Sequence, residues 1–236
     1  MPRSHPPTLI TLVRATLREH ELLPRGSTVL VAVSGGPDSM ALLHVLASIR
    51  KSFAFGLFAH GVDHGLRAGC AAELDVAEAF ARSLDIPFGR TNISVASGGN
   101  LQARARAARW IALRAAAARE GADRIATGHH ADDRAETLMM RLLRGTGVRG
   151  LAVLPARDGD RIRPMLRARK SDVEAHLRRH GIPHCNDPSN ADPRFLRARI
   201  RQEVFPLLLR LNPRVVEHIC ALADRAAESS GTGGVG

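Results

Sequence analysis

The sequence is short of aromatic residues and of cysteine. It contains no tyrosine and one tryptophan, and aromatic residues make up 3% of its 236 residues. A stacking platform that reads single-stranded nucleic acid needs aromatic side chains, so we do not expect one here. The three cysteines, Cys70, Cys185 and Cys220, are odd in number and widely spaced. They predict neither a disulfide framework nor a Cys-x-x-Cys metal or redox pair, and we expect them to be reduced.

Long apolar runs are also missing. None approaches the length that spans a bilayer, and the first residues, with Pro2, Pro6 and Pro7, lack the apolar core of a signal peptide. We therefore expect a cytoplasmic protein that is not embedded in a membrane. The length suits one α/β domain with a smaller appendage.

Acidic residues are scarce relative to basic ones. The chain has 34 Lys and Arg against 23 Asp and Glu, a net charge of +11, and only Lys51 and Lys170 are lysines. This excess favours a polyanionic partner, although coding bias can also enrich a chain in arginine and alanine. Arginine suits phosphate because its planar guanidinium pairs with two oxygens at once.

The most informative segment is Ser34-Gly35-Gly36-Pro37-Asp38-Ser39, which follows an apolar run and opens an amphipathic stretch. This order predicts a strand, a tight turn and a helix whose free N-terminal amides bind phosphate. A carboxylate in such a cradle repels phosphate unless a divalent cation lies between them, so Asp38 predicts Mg²⁺. The chain lacks the Gly-x-x-x-x-Gly-Lys-[Ser/Thr] loop, so its phosphates must be held in another way.

Four apolar segments alternate with helical patterns in the first part of the chain. The predicted strands are Thr28–Val33, Phe53–His60, Pro87–Ile93 and Arg124–Gly128. The predicted helices are Asp38–Ile49, Ala71–Leu84, Leu101–Glu120 and Ala131–Arg144. The alternation predicts an α/β fold, with a parallel twisted sheet covered by helices on both faces and a ligand beyond the carboxyl ends of the strands.

The pattern changes after Leu154 to that of a small, mainly helical C-terminal extension. We predict a hairpin turn at Gly159-Asp160, a short strand that ends at Arg163-Pro164, and a helix to His180 capped by Ser171 and Glu174. A polar loop over residues 186–193, a basic helix over Arg194–Leu211 kinked at Pro206, and a last helix to Glu228 follow.

Three later segments of the sequence narrow the choice of protein family. They are Gly61–Arg67, with Asp63 where asparagine is usual; Asn100–Trp110; and Thr127–Thr137, which is followed by Arg144-Gly145-Thr146-Gly147. With the Ser34–Ser39 loop, they resemble the PP-loop ATP pyrophosphatase superfamily and, within it, the bacterial tRNA(Ile)-lysidine synthases. The similarity covers roughly Thr28 to Leu211 and includes Asp187-Pro188-Ser189-Asn190, while Ala198 replaces a usual asparagine.

The resemblance implies a two-step reaction on the isoleucine tRNA with anticodon CAU. ATP adenylates the carbon-2 carbonyl oxygen of the wobble cytidine and releases pyrophosphate, and L-lysine then displaces AMP. The implied roles are catalysis by Asp38, Arg106, His129 and Asp133; ATP binding by the Ser34–Ser39 loop; Mg²⁺ binding by Asp38 and Asp133; and tRNA contacts by Arg109, Arg194, Arg197 and Arg201.

Some of these residues have ordinary alternatives. Consecutive helical residues point about 100° apart, so Asp132 and Asp133 cannot face the phosphates equally, and we expect Asp132 to cap or support its helix. His129 suits a base because the pKa of histidine lies near neutral pH, but it also suits a buried structural role. His60 and His64 are expected in loop packing or nucleotide contacts, and the Arg194–Arg201 face can be a solvated surface.

Two other functions remain as alternatives. A PP-loop tRNA thiolase generally needs cysteine pairs, which are absent, and a catalytically impaired tRNA-binding paralogue is disfavoured by the intact loop.

We divide the chain into a catalytic domain (1–154), its end with a basic tRNA-facing segment (155–211), a C-terminal helix (212–228) and a disordered tail (229–236). Family members often carry further C-terminal tRNA-binding domains, so we expect a minimal form, a fragment or a truncated product.

Overall fold

The computed structural model describes residues 7–63, 65, 69–95, 98–99, 101–185 and 194–231. The strands are β1 (Thr28–Val33), β2 (Gly56–Asp63), β3 (Phe88–Asn92), β4 (Arg124–Ala126), β5 (Arg157–Asp158) and β6 (Arg161–Ile162). The helices are α1 (Leu9–Glu19), α2 (Pro37–Phe53), α3 (Cys70–Ser83), α4 (Leu101–Arg119), α5 (Ala131–Leu143), α6 (Lys170–His180), α7 (Leu196–Arg199), α8 (Phe205–Leu211) and α9 (Val215–Gly231). A 3₁₀ turn covers Val148–Leu151 and a π-helical segment Ile200–Val204.

The sheet has the strand order β3-β2-β1-β4-β6-β5, and every neighbouring pair is parallel except β5 with β6. The predicted α/β fold is therefore confirmed. The central strand, β1, pairs with β2 on one side and with β4 on the other. Strand order reverses between these neighbours, and such a reversal leaves a crevice beyond the carboxyl ends of the strands.

Helices cover both faces of the sheet because β1 is apolar on both. Val29, Val31 and Val33 belong to a core formed with α1, α2, α3 and α6. Leu30 and Ala32 point to the other face, where they join α4. A separate apolar cluster ties α5 to α8 and α9. Among the described residues, no helix has the length and hydropathy needed to cross a bilayer.

Several element boundaries differ from the predictions. Helix α2 continues through Phe53 and ends at Ala54, whose φ of 52° is left-handed, so β2 begins at Gly56. The apolar run across this junction hides the boundary. Helix α6 begins at Lys170, and the backbone N–H of Arg169 donates to Asp172 Oδ2 at 2.8 Å. The predicted cap by Ser171 and Glu174 is wrong by two residues.

The C-terminal extension contains the predicted hairpin, with Gly159 at φ +61° between β5 and β6. The predicted basic helix begins at Leu196 rather than Arg194, and its irregularity is the π-helical segment that precedes Pro206. Pro206 lacks an N–H, and the N–H of Phe205 bonds to the carbonyl of Ile200, five residues earlier. Helix α9 extends to Gly231. The predicted loop at 186–193, His64 and residues 232–236 of the tail lie outside the described residues.

Three histidines join α6 to α2. His44 Nδ1 lies 3.0 Å from His176 Nε2, and the His180 ring is 4.4 Å from that of His176 and 4.8 Å from that of His44. Burial, followed by the charges of His44, His180 and Arg179, lowers the pKa of His176 to about 4. Burial and then His180 also lower the pKa of His44. His44 and His176 are therefore neutral at pH 7.

This cluster predicts a loss of stability in mild acid. Unfolded histidine binds a proton near pH 6.5, whereas folded His176 does so only near pH 4, so stability falls as the pH drops between these values. Between pH 7 and pH 4.5, we expect the unfolding free energy of His176→Gln to fall by about 1 to 2 kcal/mol less than that of the wild type. Urea denaturation at the two pH values measures this difference.

The matched control is His20→Gln, because His20 is exposed at the end of α1. It should leave the pH dependence unchanged. An equal slope in wild type and His176→Gln would contradict the prediction.

Candidate active site

The loop after β1 is held in a fixed shape. Gly35 has a φ of +78°, and a Cβ there would collide with the backbone oxygen of Glu73 in α3. Its carbonyl accepts a hydrogen bond from the backbone N–H of Cys185 at 2.9 Å. Only glycine suits both the left-handed conformation and the close approach of α3.

The two loop serines have different roles. The Ser39 hydroxyl accepts from the backbone N–H of Ser34 at 3.1 Å and donates to the carbonyl of Gly36 at 2.9 Å. Ser39 is buried and closes the loop, whereas Ser34 is exposed. Gly36 is the N-cap of α2 and offers no side-chain acceptor, so the first amides of the helix face the cleft, as an anion site requires.

The crevice between β1 and β4 brings Asp38 and Asp133 together. His130 Nε2 lies 3.8 Å from Asp38 Oδ1 and 3.5 Å from Asp133 Oδ2. His130 also caps α5, because its Nδ1 accepts from the backbone N–H of Asp133 at 3.4 Å and its own backbone N–H donates to Asp133 Oδ2 at 3.0 Å. Sequence reasoning favoured the adjacent His129, yet His130 is the buried histidine between the carboxylates.

Asp133 and Glu136 hold two arginines from the C-terminal segment. Arg197 reaches Asp133 Oδ1 and Glu136 Oε2, each at 2.7 Å, and Arg201 reaches Glu136 Oε1 at 2.6 Å. Burial would raise the pKa of Asp133, but His130 and Arg197 outweigh it and hold that pKa below its usual value. Glu136, which sequence reasoning missed, is only 3% exposed. Its long-range partners gave no local signal.

Asp132 supports a different helix from the one expected. Its carboxylate accepts from Arg169 through Nε and Nη2, the latter at 2.9 Å, and from the backbone N–H of Lys170 at 2.7 Å. It therefore fixes the start of α6 rather than capping α5. Lys170 then places Nζ 2.8 Å from Asp38 Oδ1. The rarity of lysine is the one local sign of this residue, since Lys170 is one of two lysines in the chain.

Arg106 and Arg109 lie on α4 across the cleft from Asp133. Burial, followed by repulsion from Arg106, lowers the pKa of Arg109. Within the part of the chain that the structure describes, neither guanidinium forms a salt bridge. Two adjacent cations without a protein counter-ion favour an anionic ligand.

His129 lies at the end of β4, where Nδ1 is 2.9 Å from the hydroxyl of Thr127. Burial lowers its pKa to about 4, and Asp133 offsets this only in part. The expectation of a pKa near neutral pH is therefore wrong for this residue. A neutral imidazole can orient a ligand by hydrogen bonding but is a weak base at pH 7.

His60 is fully buried in β2, and its Nε2 lies 2.9 Å from Thr91 Oγ1. It packs inside the sheet, so the nucleotide contact considered for His60 is not needed to explain it. Arg194 precedes α7 and does not lie on the same helical face as Arg197 and Arg201.

The cleft is large and positively charged. It consists of adjoining cavities of about 800 and 610 Å³, a size typical of small-molecule sites. Both are lined by Ser34, Asp38, Arg106, Asp133 and Arg197. The larger one adds Arg144, Lys170 and Arg201. Trp110 lines the smaller one and stacks on the guanidinium of Arg161 at 3.8 Å.

The donor set at Asp38 and Asp133 fits Mg²⁺ held jointly with a phosphate ligand. Among the described residues, no group of three or more His, Cys, Asp or Glu side chains gathers to hold a metal by itself. Magnesium usually binds one or two carboxylates and takes its remaining ligands from phosphate and water. Asp38 and Asp133 would supply that share.

Comparison with known proteins gives consistent matches. The PP-loop domain family matches residues 11–208. The tRNA(Ile)-lysidine synthase of Thermobifida fusca is 40% identical over 93% of this chain and 69% of its own length. That of Symbiobacterium thermophilum is 40% identical over 93% of this chain but 48% of its own length. The chain thus spans about half the length of most of the relatives it matches.

A solved structure with the same fold is the U34-tRNA thiolase NcsA of Methanococcus maripaludis, with its [4Fe-4S] cluster. It has a TM-score of 0.78 and 22% identity, and the match covers 93% of this chain and 78% of that one. At this identity, the likeness shows the fold alone.

Glu136 predicts a large effect from a neutral substitution. Glu136→Gln leaves Arg197 and Arg201 without their shared buried counter-ion, so we expect the unfolding free energy to fall by about 1 to 3 kcal/mol in guanidinium denaturation. Glu203→Gln is the matched control, because Glu203 pairs with Arg199 on an exposed face of the same segment. That change should cost less than about 0.5 kcal/mol. Equal losses in both variants would refute the role of Glu136.

Proposed function

The chain belongs to the tRNA(Ile)-lysidine synthase family of PP-loop proteins, and we propose that it ligates L-lysine to carbon 2 of the wobble cytidine of tRNA(Ile) with anticodon CAU. The reaction converts ATP to AMP and pyrophosphate. The observation that best supports this is the convergence of Asp38, Asp133 and Arg106 on the cleft beyond the PP-loop. A cleft with this charge pattern suits a triphosphate and a tRNA together.

In the first step, the carbon-2 carbonyl oxygen attacks the α-phosphorus of ATP. A bond forms between these atoms, and pyrophosphate leaves with the electron pair of the broken phosphorus–oxygen bond. The loop amides of Gly35, Gly36, Asp38 and Ser39 hold the phosphates, and Arg106 neutralises charge on the α-phosphate. Mg²⁺ held by Asp38 and Asp133 supplies further charge stabilisation when bound.

In the second step, the lysine amine attacks carbon 2, and AMP leaves with the former carbonyl oxygen. The amine loses a proton to solvent as the new carbon–nitrogen bond forms. His129 is neutral at pH 7 and can orient the amine or the adenylated base through its Nε2. We assign it positioning rather than proton abstraction.

We propose that tRNA is contacted by Arg109, Arg194, Arg197 and Arg201. We also propose that the protein acts in the cytoplasm. Arg197 and Arg201 also serve Asp133 and Glu136, but their side chains are 38% and 45% exposed and can reach a phosphate as well. Affinity that rests on such contacts decreases steeply with salt.

Sulfur transfer has less support. Cys70 is buried at the start of α3, and burial raises the pKa of the Cys220 thiol to about 11, which leaves it protonated and unreactive. These thiols supply no pair for the sulfur chemistry of a thiolase. The impaired-paralogue alternative is disfavoured by the loop, which is closed by Ser39 and fixed by Cys185.

Asp38→Asn tests the proposal. The amide removes the charge that holds the cation but keeps the shape, so we expect at least about a 100-fold loss of adenylation with an unchanged melting temperature. Lysidine is measured by nucleoside mass spectrometry after incubation with ATP, Mg²⁺, lysine and tRNA(Ile), and pyrophosphate release is measured in the same samples.

Asp75→Asn is the control, because Asp75 is an exposed partner of Arg90 on α3. It should retain full activity. No lysidine from the wild-type chain, even with the C-terminal part of a relative supplied in trans, would overturn the proposed function. Normal adenylation by Asp38→Asn would overturn the role of that residue.

A further inference from the structure

Lys170 lies where the PP-loop lacks a cation of its own. The loop contains no lysine, and the cleft side of Asp38 is instead met by Lys170 from α6, with Nζ 2.8 Å from Oδ1. The two residues are 132 positions apart in the chain. The Lys170 side chain is 37% exposed and lines the larger cavity with Arg106, so its ammonium can reach a ligand there.

The start of α6 is held so that Lys170 keeps this position. Asp132 receives two hydrogen bonds from Nε and Nη2 of Arg169 and one from the backbone N–H of Lys170. The backbone N–H of Arg169 in turn donates to Asp172. One turn and a half further along, His176 contacts His44 of α2, the helix that carries Asp38. Backbone and neighbouring side chains thus place the lysine stem between two fixed helices.

The position is electrostatically unfavourable for a lysine without an anion. A cation in the first turn of a helix opposes the helix dipole, and Lys170 is the first residue of α6 and faces the N-terminal end of α2 as well. One aspartate contact balances one charge. Two helix N-termini and the nearby Arg106 leave a positive field that an oligophosphate would neutralise.

We propose that Lys170 binds the β- and γ-phosphates of ATP, and that Asp132 is the positioning residue that holds Lys170 over the loop. This rests on the proposed function, in which ATP is the substrate. A lysine ammonium is a compact charge with three donors and suits terminal phosphate oxygens. During adenylation, pyrophosphate departs with the electron pair of the broken bond, and Lys170 stabilises the charge that develops on it.

Amine labelling provides the direct test, because the chain has only two lysines. Trace acetylation followed by peptide mass spectrometry reports the reactivity of Lys170 and, as an internal reference, of exposed Lys51 at the end of α2. Saturating Mg·ATP, Mg·AMP and magnesium pyrophosphate are compared on the full chain. We expect ATP and pyrophosphate to slow labelling of Lys170 about tenfold, AMP to slow it less than twofold, and Lys51 to be unaffected.

Binding measurements by calorimetry separate contact from structural support. Lys170→Ala should weaken ATP binding about 10- to 100-fold and AMP binding less than twofold, and Lys170→Arg should restore part of the loss. Lys51→Ala should change neither. A lysine that only supports the fold would weaken ATP and AMP alike in the Ala variant, and that result would overturn the proposal.

Asp132→Asn should weaken ATP binding about 3- to 10-fold with AMP unchanged, and should reduce the protection of Lys170 by ATP. Arg169→Gln removes the guanidinium bonds to Asp132 but keeps the bond from the backbone N–H of Lys170, and it replaces the Asp132 variant if that variant melts early. Unchanged ATP binding in either folded variant would overturn the role of Asp132.

Failure of the two proposals can be told apart. Wild-type protein that binds no ATP in calorimetry would overturn the proposed function and this proposal together. Wild-type protein that binds ATP, but with Lys170 labelled at the same rate in ATP, in AMP and without nucleotide, would overturn only the role of Lys170.

Discussion

The site depends on ion pairs between carboxylates of α5 and basic residues from the C-terminal third of the chain. Asp132 and Asp133 are consecutive and point about 100° apart, so they serve different partners. Asp132 holds Arg169 at the start of α6, whereas Asp133 and Glu136 hold Arg197. Buried carboxylates are costly without counter-ions. Docking of both C-terminal segments therefore stabilises α5 at the end of β4.

This arrangement makes the cleft a product of the whole fold rather than of one loop. The PP-loop supplies backbone amides and Asp38, α4 supplies Arg106 and Arg109, and α6 supplies Lys170. Each cation that pairs with a carboxylate also restricts the positions in which a phosphate ligand can bind, because the ammonium and guanidinium groups are held at fixed points. Preorganised charges of this kind act without reorganisation when new charge develops.

The sequence predicted those features that local patterns encode. Strand β1 has two apolar faces, one formed by Val29, Val31 and Val33 and the other by Leu30 and Ala32. The glycines after it specify the turn. The sheet and the loop could therefore be predicted from local sequence. The partners of Asp132 and Glu136 were not predictable, because ion pairs across 37 and 65 residues leave no periodicity. The low pKa of His129 is caused by burial, and the position of this residue in the motif does not reveal that burial.

The contact between Lys170 and Asp38 gives the loop a charge balance that suits ordered entry of its ligand. An isolated carboxylate beneath an anion cradle would repel the triphosphate at close range. With the ammonium 2.8 Å away, the local charge is near zero, and Arg106 and Arg109 add positive charge from the wall of the smaller cavity. The same ammonium would be free to turn from Asp38 to a phosphate oxygen if a divalent cation took its place on the carboxylate. The ion pair between Lys170 and Asp38 thus allows a carboxylate to lie beside a phosphate-binding loop.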